Sequence, residues 1–317
     1  TTAALGSRVL VSNHSYGRNS GWQGSQYYGA WLELEDRRFG QYDSQAALID
    51  SICFNAPYYQ PFFAAGNDRD DVTPTAGAIF QRFTSTTSGV VFQNNPQTYN
   101  PASHPGPDGQ NGGYDTIPTY NGAKNVITVG AVTDALDAAG NRSLGSTGIS
   151  TFSGWGPTDD GRIKPDIVAV GVGVLSTGSS ADDNGNTKAG TSMATPAITG
   201  SALLLQELYS DKFSGVAMRA STLKALILHT ADDLGTAGPD YTFGWGMMNT
   251  KKAADLILAH KDAPANNQMI EDALTTAEAS KTYSFAWDGN GPIRVTICWT
   301  DPAGTAQNGL DTATANL

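Results

Sequence analysis

Short apolar runs that end in turn residues punctuate the first half of the chain. R-V-L-V-S at 8–12 gives way to N-H-S-Y-G at 13–17, and F-F-A-A at 62–65 gives way to Gly66 and Asn67. N-V-I-T-V-G-A-V-T-D at 125–134 and K-P-D-I-V-A-V-G at 164–171 repeat the theme. Runs this short, apolar without alternation, predict strands buried on both faces. Between the first two, Ala46, Leu48, Ile49 and Ile52 fall at helical spacing and predict a helix over 45–55. Two further helices are predicted, over 192–209, apolar and small-residue throughout, and over 221–229. Strand and helix alternate, so the expected class is α/β, layered around a mostly parallel sheet.

Two stretches break this rhythm. Residues 68–122 are polar and rich in Pro, Gly, Asn and Thr, which predicts a long surface excursion with a strand pair near 77–83 and 89–93. Near Asp262 the composition changes through K-D-A-P-A-N-N-Q, and K-T-Y-S-F-A-W-D-G and P-I-R-V-T-I-C-W-T-D then alternate as antiparallel strands do. The expected organisation is therefore a domain over 1–262 and part of a β-domain over 263–317.

Composition narrows the function. Thirty acidic against nineteen basic residues give a net charge of -11, a field that repels nucleic acid and anionic membranes. No apolar run approaches the ~18 residues of a membrane span. Charged residues are only 15% of the chain, while Gly, Ser, Thr and Asn abound, as in a loop-rich secreted protein. Cys53 and Cys298 have no metal-ligand or redox spacing; they read either as two unpaired buried thiols or as a long-range disulfide.

The chemistry-bearing segment is G-T-S-M-A-T-P at 190–196, directly ahead of the apolar helix. A serine at a helix start is presented to solvent beside free backbone N–H groups that favour an oxyanion, and Gly190 admits a close substrate backbone. An ordinary N-cap by Thr191 or Ser192 fits the same letters when they are taken alone.

Three more motifs occur in order: F-A-A-G-N at 63–67, N-V-I-T-V-G-A-V at 125–132, and F-S-G-W-G-P-T-D-D-G-R-I-K-P-D-I-V-A-V-G at 152–171. With S-N-H-S-Y-G at 12–17 and Y-T-F-G-W-G-M-M-N-T-K-K-A at 241–253, the set resembles the subtilisin family of serine proteases over residues 8 to 260. V-T-I-C-W-T-D-P-A-G at 295–304 resembles the start of the β-sandwich that follows the protease in some alkaline members. The resemblance implies a three-layer subtilisin-like fold and acyl-enzyme hydrolysis of polypeptides. It makes Ser192 the nucleophile and Asn67 the side-chain oxyanion donor. It assigns substrate contact to Ser15, Tyr16 and Gly17, to Ala64, Ala65 and Gly66, and to Gly190 and Thr191. No cofactor is needed for the chemistry. Structural calcium is common in relatives, and Asp68–Asp71 and Asp182–Asn186 are either its oxygen ligands or simply solvated acidic loops. One departure stands in the last motif: Val168 and Val170 flank Ala169 where many relatives have proline, a matter of loop rigidity.

The family's aspartate turn, D-[ST]-G, and histidine turn, H-G-[TS], are both missing. Of the four histidines, His14 alone falls in a motif near the cleft, at a position that the family gives to a strand end and not to the base. Asp115 lacks the glycine of the aspartate turn and lies on the wrong side of Asn67 in sequence. The expectation is a piece of a protease whose Asp and His lie on a preceding segment or a second chain, inactive alone. The competing readings are a peptide-binding pseudoprotease and, excluded by the ordered motifs, an unrelated α/β binding protein.

Overall fold

A computed structural model describes residues 9–32, 34–83 and 95–307. The central sheet has four parallel strands in the order β1, β6, β9, β10: β1 (Val11–His14), β6 (Gln60–Ala64), β9 (Ile127–Val132) and β10 (Ile167–Val170). Phe62 stands opposite Ile127, and Val129 opposite Ile167. These are the four apolar runs of the sequence, and the first of them, β1, forms an edge.

Alternation along the strands divides the interior. Phe62, Ile127, Val129, Ala131, Ile167 and Ala169 face one side, where α2 (Thr191–Lys212), α3 (Ala220–His229) and α4 (Thr250–Asp262) cover them. Phe63 faces the other side with Tyr42 and Ala46, beneath α1 (Ser44–Asn55). A sheet buried on both faces needs strands without polar alternation, which is why these runs read as continuous apolar stretches. The α/β subtilisin-like class expected from sequence is the class observed. The helix expected over 192–209 runs three residues further, and α4 was not anticipated.

The polar excursion is more ordered than its composition suggests. Short strands β2 (Trp22–Gln23), β3 (Gln26–Tyr27), β7 (Ile79–Arg82) and β8 (Asn95–Thr98) form a small sheet in that order. Trp22, Tyr27, Phe80 and Tyr99 make its core, with Trp22 edge-on to the other three rings. The strand pair expected near 77–83 exists, but its partner strand is β8; the expected 89–93 lies outside the described residues. Two hairpins complete the inventory, β4 (Trp31–Leu32) with β5 (Glu35–Asp36), and β11 (Val174–Thr177) with β12 (Gly185–Lys188).

From α4 to residue 307 the chain runs without strand pairing among the described residues. Among the described residues 263–307 there is no strand, only a short 3-10 turn at Pro264–Asn266. The alternating residues Tyr283, Phe285, Trp287 and Ile293, Val295, Ile297, Trp299 are exposed. The expected β-domain strands thus have the right periodicity and no partner; two such strands are marginal alone. The segment instead lies along the domain. Glu271 accepts from the Arg219 N–H (3.2 Å), Asp301 exchanges hydrogen bonds with Asn125 (2.9 and 2.8 Å), and Gln307 donates to the Tyr42 carbonyl (2.8 Å). Both cysteines are free thiols, Cys53 buried.

Asp50 ties these parts together. Fully buried in α1, it accepts from the backbone N–H groups of Lys124 (3.1 Å) and Asn125 (2.8 Å) and from the Tyr42 hydroxyl (2.7 Å). Truncating it leaves three buried donors unpaired. Asp50→Ala is expected to lower stability by about 3 kcal/mol, read from urea unfolding at neutral pH; an unchanged midpoint would show that water or other groups replace it.

Candidate active site

Ser192 is the second residue of α2, and the local sequence explains its setting. Gly190, just before the helix, has φ 151 and ψ 157, a conformation essentially reserved for glycine. Pro196 lies inside the helix and has no N–H to donate to the carbonyl four residues back. That carbonyl belongs to Ser192, and it accepts instead from the Ser15 hydroxyl at 2.8 Å. The Ser192 hydroxyl returns the bond, donating to the Ser15 carbonyl at 3.1 Å. A reciprocal pair therefore locks the end of β1 to the start of α2.

Asn67 is held from the opposite side. Its Oδ1 accepts from the Thr191 N–H (2.8 Å) and the Thr191 hydroxyl (2.9 Å). A backbone N–H can only donate, so the amide orientation is forced and Nδ2 keeps its donors for the cleft. Asn67 is exposed, Ser192 half-buried, and the Ser192 N–H is one of the first-turn amides that a helix leaves without an internal acceptor. The arrangement presents a hydroxyl beside two donors, suited to attack on a carbonyl whose oxygen gains charge.

The remaining residues expected at the substrate fall into two groups. Tyr16 and Gly17 are exposed beside Ser15, open to an extended chain. Thr191, Ala64 and Ala65 are buried, and their polar groups are already used. Thr191 serves Asn67 and the Gly66 carbonyl, the Ala65 N–H donates to Val129, and the Ala64 carbonyl accepts from Asn121. Their bonds hold the end of β6 and the start of α2 in place.

No histidine takes part. His14 stacks on Phe63 at 4.3 Å, with its ring nitrogens 2.6 Å from the hydroxyls of Ser12 and Tyr16. Its neighbour Asn13 receives the Thr199 hydroxyl of α2 (3.3 Å), so alternation along β1 turns His14 to the α1 face, away from Ser192. His104 bonds Asn100, His229 bonds Thr296 (2.9 Å), and His260 stacks on Phe213. Among the described residues no three His, Cys, Asp or Glu groups are placed to hold an ion. Asp70 receives the Thr151 hydroxyl (2.5 Å), and the 182–186 stretch lies at the exposed β11–β12 hairpin.

The model of the subtilase family, peptidase S8, matches residues 2–246. The chain belongs to the subtilase family. It is 30% identical over 198 residues to the Dictyostelium discoideum "Serine protease/ABC transporter B family protein tagA", covering 52% of this chain and 11% of that protein. It is 29% identical over 178 residues to the C5a peptidase of Streptococcus pyogenes, covering 53% of this chain and 14% of the peptidase. The matched region is thus a small part of each relative's length. An 80-residue match at 39% identity, covering 24% of this chain and 7% of the relative, is to an extracellular serine protease of Serratia marcescens. The solved Clostridium perfringens CspB protease aligns over 74% of this chain and 67% of its own, at 17% identity and a TM-score of 0.46. No described helix is long and apolar enough to cross a membrane.

The subtilase motif conceals one residue that sequence reasoning treated only as a possible metal ligand. Asp68, 9% exposed, folds back on the Asn67 backbone and accepts from the Asn67 N–H, with Gln23 as a second partner. Burial, reinforced by the Asp71 and Asp36 carboxylates, pushes it up to about 7. The folded protein therefore holds a proton on Asp68 that an unfolded chain, with a carboxyl near ~3.9, has released. This contribution to stability is complete below that lower value and fades as pH rises towards 7. Asp68→Asn is expected to flatten the stability–pH profile between pH 4 and 7 by up to about 1.4 kcal/mol per pH unit. Urea melts across that range check it, and identical slopes for variant and parent refute it.

Proposed function

We propose that this chain carries the nucleophile and oxyanion hole of a secreted subtilisin-type endopeptidase and receives its general base from another polypeptide segment. The observation that carries the reading is the convergence of Ser192, the Asn67 amide and the Ser15–Gly17 edge at one end of the parallel sheet. Ser192 Oγ attacks the scissile carbonyl carbon, and its proton passes to the incoming base. Asn67 Nδ2 and the Ser192 N–H hold the oxyanion, and the base returns the proton to the leaving amine as the acyl-enzyme forms. Water then repeats the sequence and frees the acid product. Export fits the composition and the extracellular Serratia relative.

Two features support a base from elsewhere. The Ser192 hydroxyl is spent on a carbonyl, which activates nothing. The surface beside it is also unfinished: β1 is a sheet edge, and the flanking side of α2 exposes Ala197, Gly200, Leu203 and Leu204. An apolar helix stripe next to a strand edge with no second partner strand among the described residues suits a strand that brings a histidine and an aspartate to the cleft. The same missing base favours the second reading, a peptide-binding pseudoprotease.

Peptide-anilide hydrolysis separates these readings. The pure chain is expected to be inactive, since in subtilisin loss of the histidine costs about 2 × 10⁶ in turnover. A polypeptide carrying D-[ST]-G and H-G-[TS] turns should restore hydrolysis. Ser192→Ala should then abolish it, and Asn67→Ala should lower it by ~10²–10³, as in subtilisin. Hydrolysis by the chain alone that Ser192→Ala removes would overturn the need for a second segment. Peptide binding with no hydrolysis under either condition favours the pseudoprotease.

A further inference from the structure

In open α/β sheets ligands bind outside the carboxyl ends of the strands. Here two strand ends lie beside Ser192 and Asn67: Ser15–Gly17 after β1 and Ala65–Asn67 after β6. A substrate side chain next to the attacked carbonyl would enter between them. What fills the space between them therefore decides which side chains fit.

Asn121 fills it. This residue sits on a 3-10 turn, Thr119–Gly122, and is only 1% exposed. Its Nδ2 donates to the Ala64 carbonyl on one wall. On the other wall, a Cβ added to Gly17 would lie 3.2 Å from Nδ2 and 3.5 Å from Oδ1 of the same amide. One side chain thus spans the gap from wall to wall. The turn itself is anchored, because the Thr128 hydroxyl donates to the Asn121 carbonyl at 2.5 Å.

The β6 wall is closed from behind as well. A Cβ on Gly66 would meet Pro118 at 2.9 Å, and one on Gly154 would meet the Ala65 carbonyl at 2.5 Å. Neither segment can retreat without moving backbone. Asn121 Oδ1 is buried and finds no hydrogen-bond partner among the described residues, an arrangement that packing alone does not call for.

The geometry points to Asn121 as a specificity-determining residue that makes this pocket shallow, so that the residue before the cut must have a small side chain: Gly, Ala or Ser. This rests on the reading of the cleft as a peptide site. It does not need the missing base, because a product carboxylate can bind at a helix N-terminus without chemistry.

The test uses acetylated tetrapeptides that differ only in the last residue, Ala or Phe, titrated into the whole chain by NMR. The Ala-ended peptide is expected to bind at least about tenfold more tightly, the usual scale for forcing an oversized group into a packed site. Asn121→Ser, which shortens the side chain but keeps a donor for the Ala64 carbonyl, should narrow or reverse that ratio. A merely structural role would weaken both peptides alike. Equal binding of the two peptides to the parent, or an unchanged ratio in the variant, overturns the assignment while leaving the peptide site intact. Binding of neither peptide to the parent overturns both.

Discussion

The site depends on the joint between Ser15 and Ser192. A helix with a full hydrogen-bond ladder would use the Ser192 carbonyl internally. Pro196 removes that donor, and the vacated acceptor is taken by the end of the edge strand. The loss of one helical bond thus becomes a fixed distance between Ser192 and the end of β1. Gly190 has a parallel role on the other side: its glycine-only backbone brings the Thr191 N–H to Asn67. Two departures from ordinary helix sequence, a proline inside and a glycine before, together set the three positions that matter.

The opposite end of the sheet is fixed by charge. Asp166 is buried between Lys164 (2.6 Å) and Lys224 (2.9 Å), and its Oδ2 also accepts from the Thr128 N–H (2.7 Å). Burial alone would raise the Asp166 carboxyl, but the two ammonium groups outweigh it and hold the group below the usual range. Lys224 also donates to the carbonyls of Lys124 (3.1 Å) and Val126 (2.9 Å), the strand-entry segment that Asp50 grips from α1. A buried cluster in which each charge is paired and also hydrogen-bonded is costly to break from either side. It anchors β9 and β10 at one end and leaves the other end free to diverge into a cleft.

The sequence made the parallel core legible because strands buried on both faces have no polar alternation to confuse the pattern. The helix start at Ser192 and the strand end before Asn67 were legible because their motifs are local and ordered. Thr191, Ala64 and Ala65 show the limit of that reasoning: a motif does not tell which of its residues are buried. Asp68 and Asn121 were obscure for a different reason. Each acts through a contact far away in sequence, Asp68 with Gln23 and Asn121 with Ala64 and Gly17, and no local spacing encodes such pairs. The small sheet of the excursion escaped because strands of two residues, β2 and β3, carry no periodicity; four aromatic residues scattered from 22 to 99 build its core.

The aromatic excursion and the catalytic strand ends meet at the carboxylates. Asp36 accepts from the N–H groups of Gly21 (2.5 Å) and Ala30 (2.9 Å), and Asp108 from that of Trp22 (2.9 Å), so both pin the start of the small sheet. Asp68 faces the same group of acids and also receives the Asn67 N–H. Burial and the neighbouring acids push Asp108 up to about 10 and Asp68 to about 7. Near neutral pH these carboxyls therefore keep protons that solvated acids would have lost, which spares the excursion the repulsion of several close charges. The Asn67 backbone is fastened to that partly protonated cluster. The charge state of the excursion and the placement of Asn67 are consequently one problem, joined through the single residue between them.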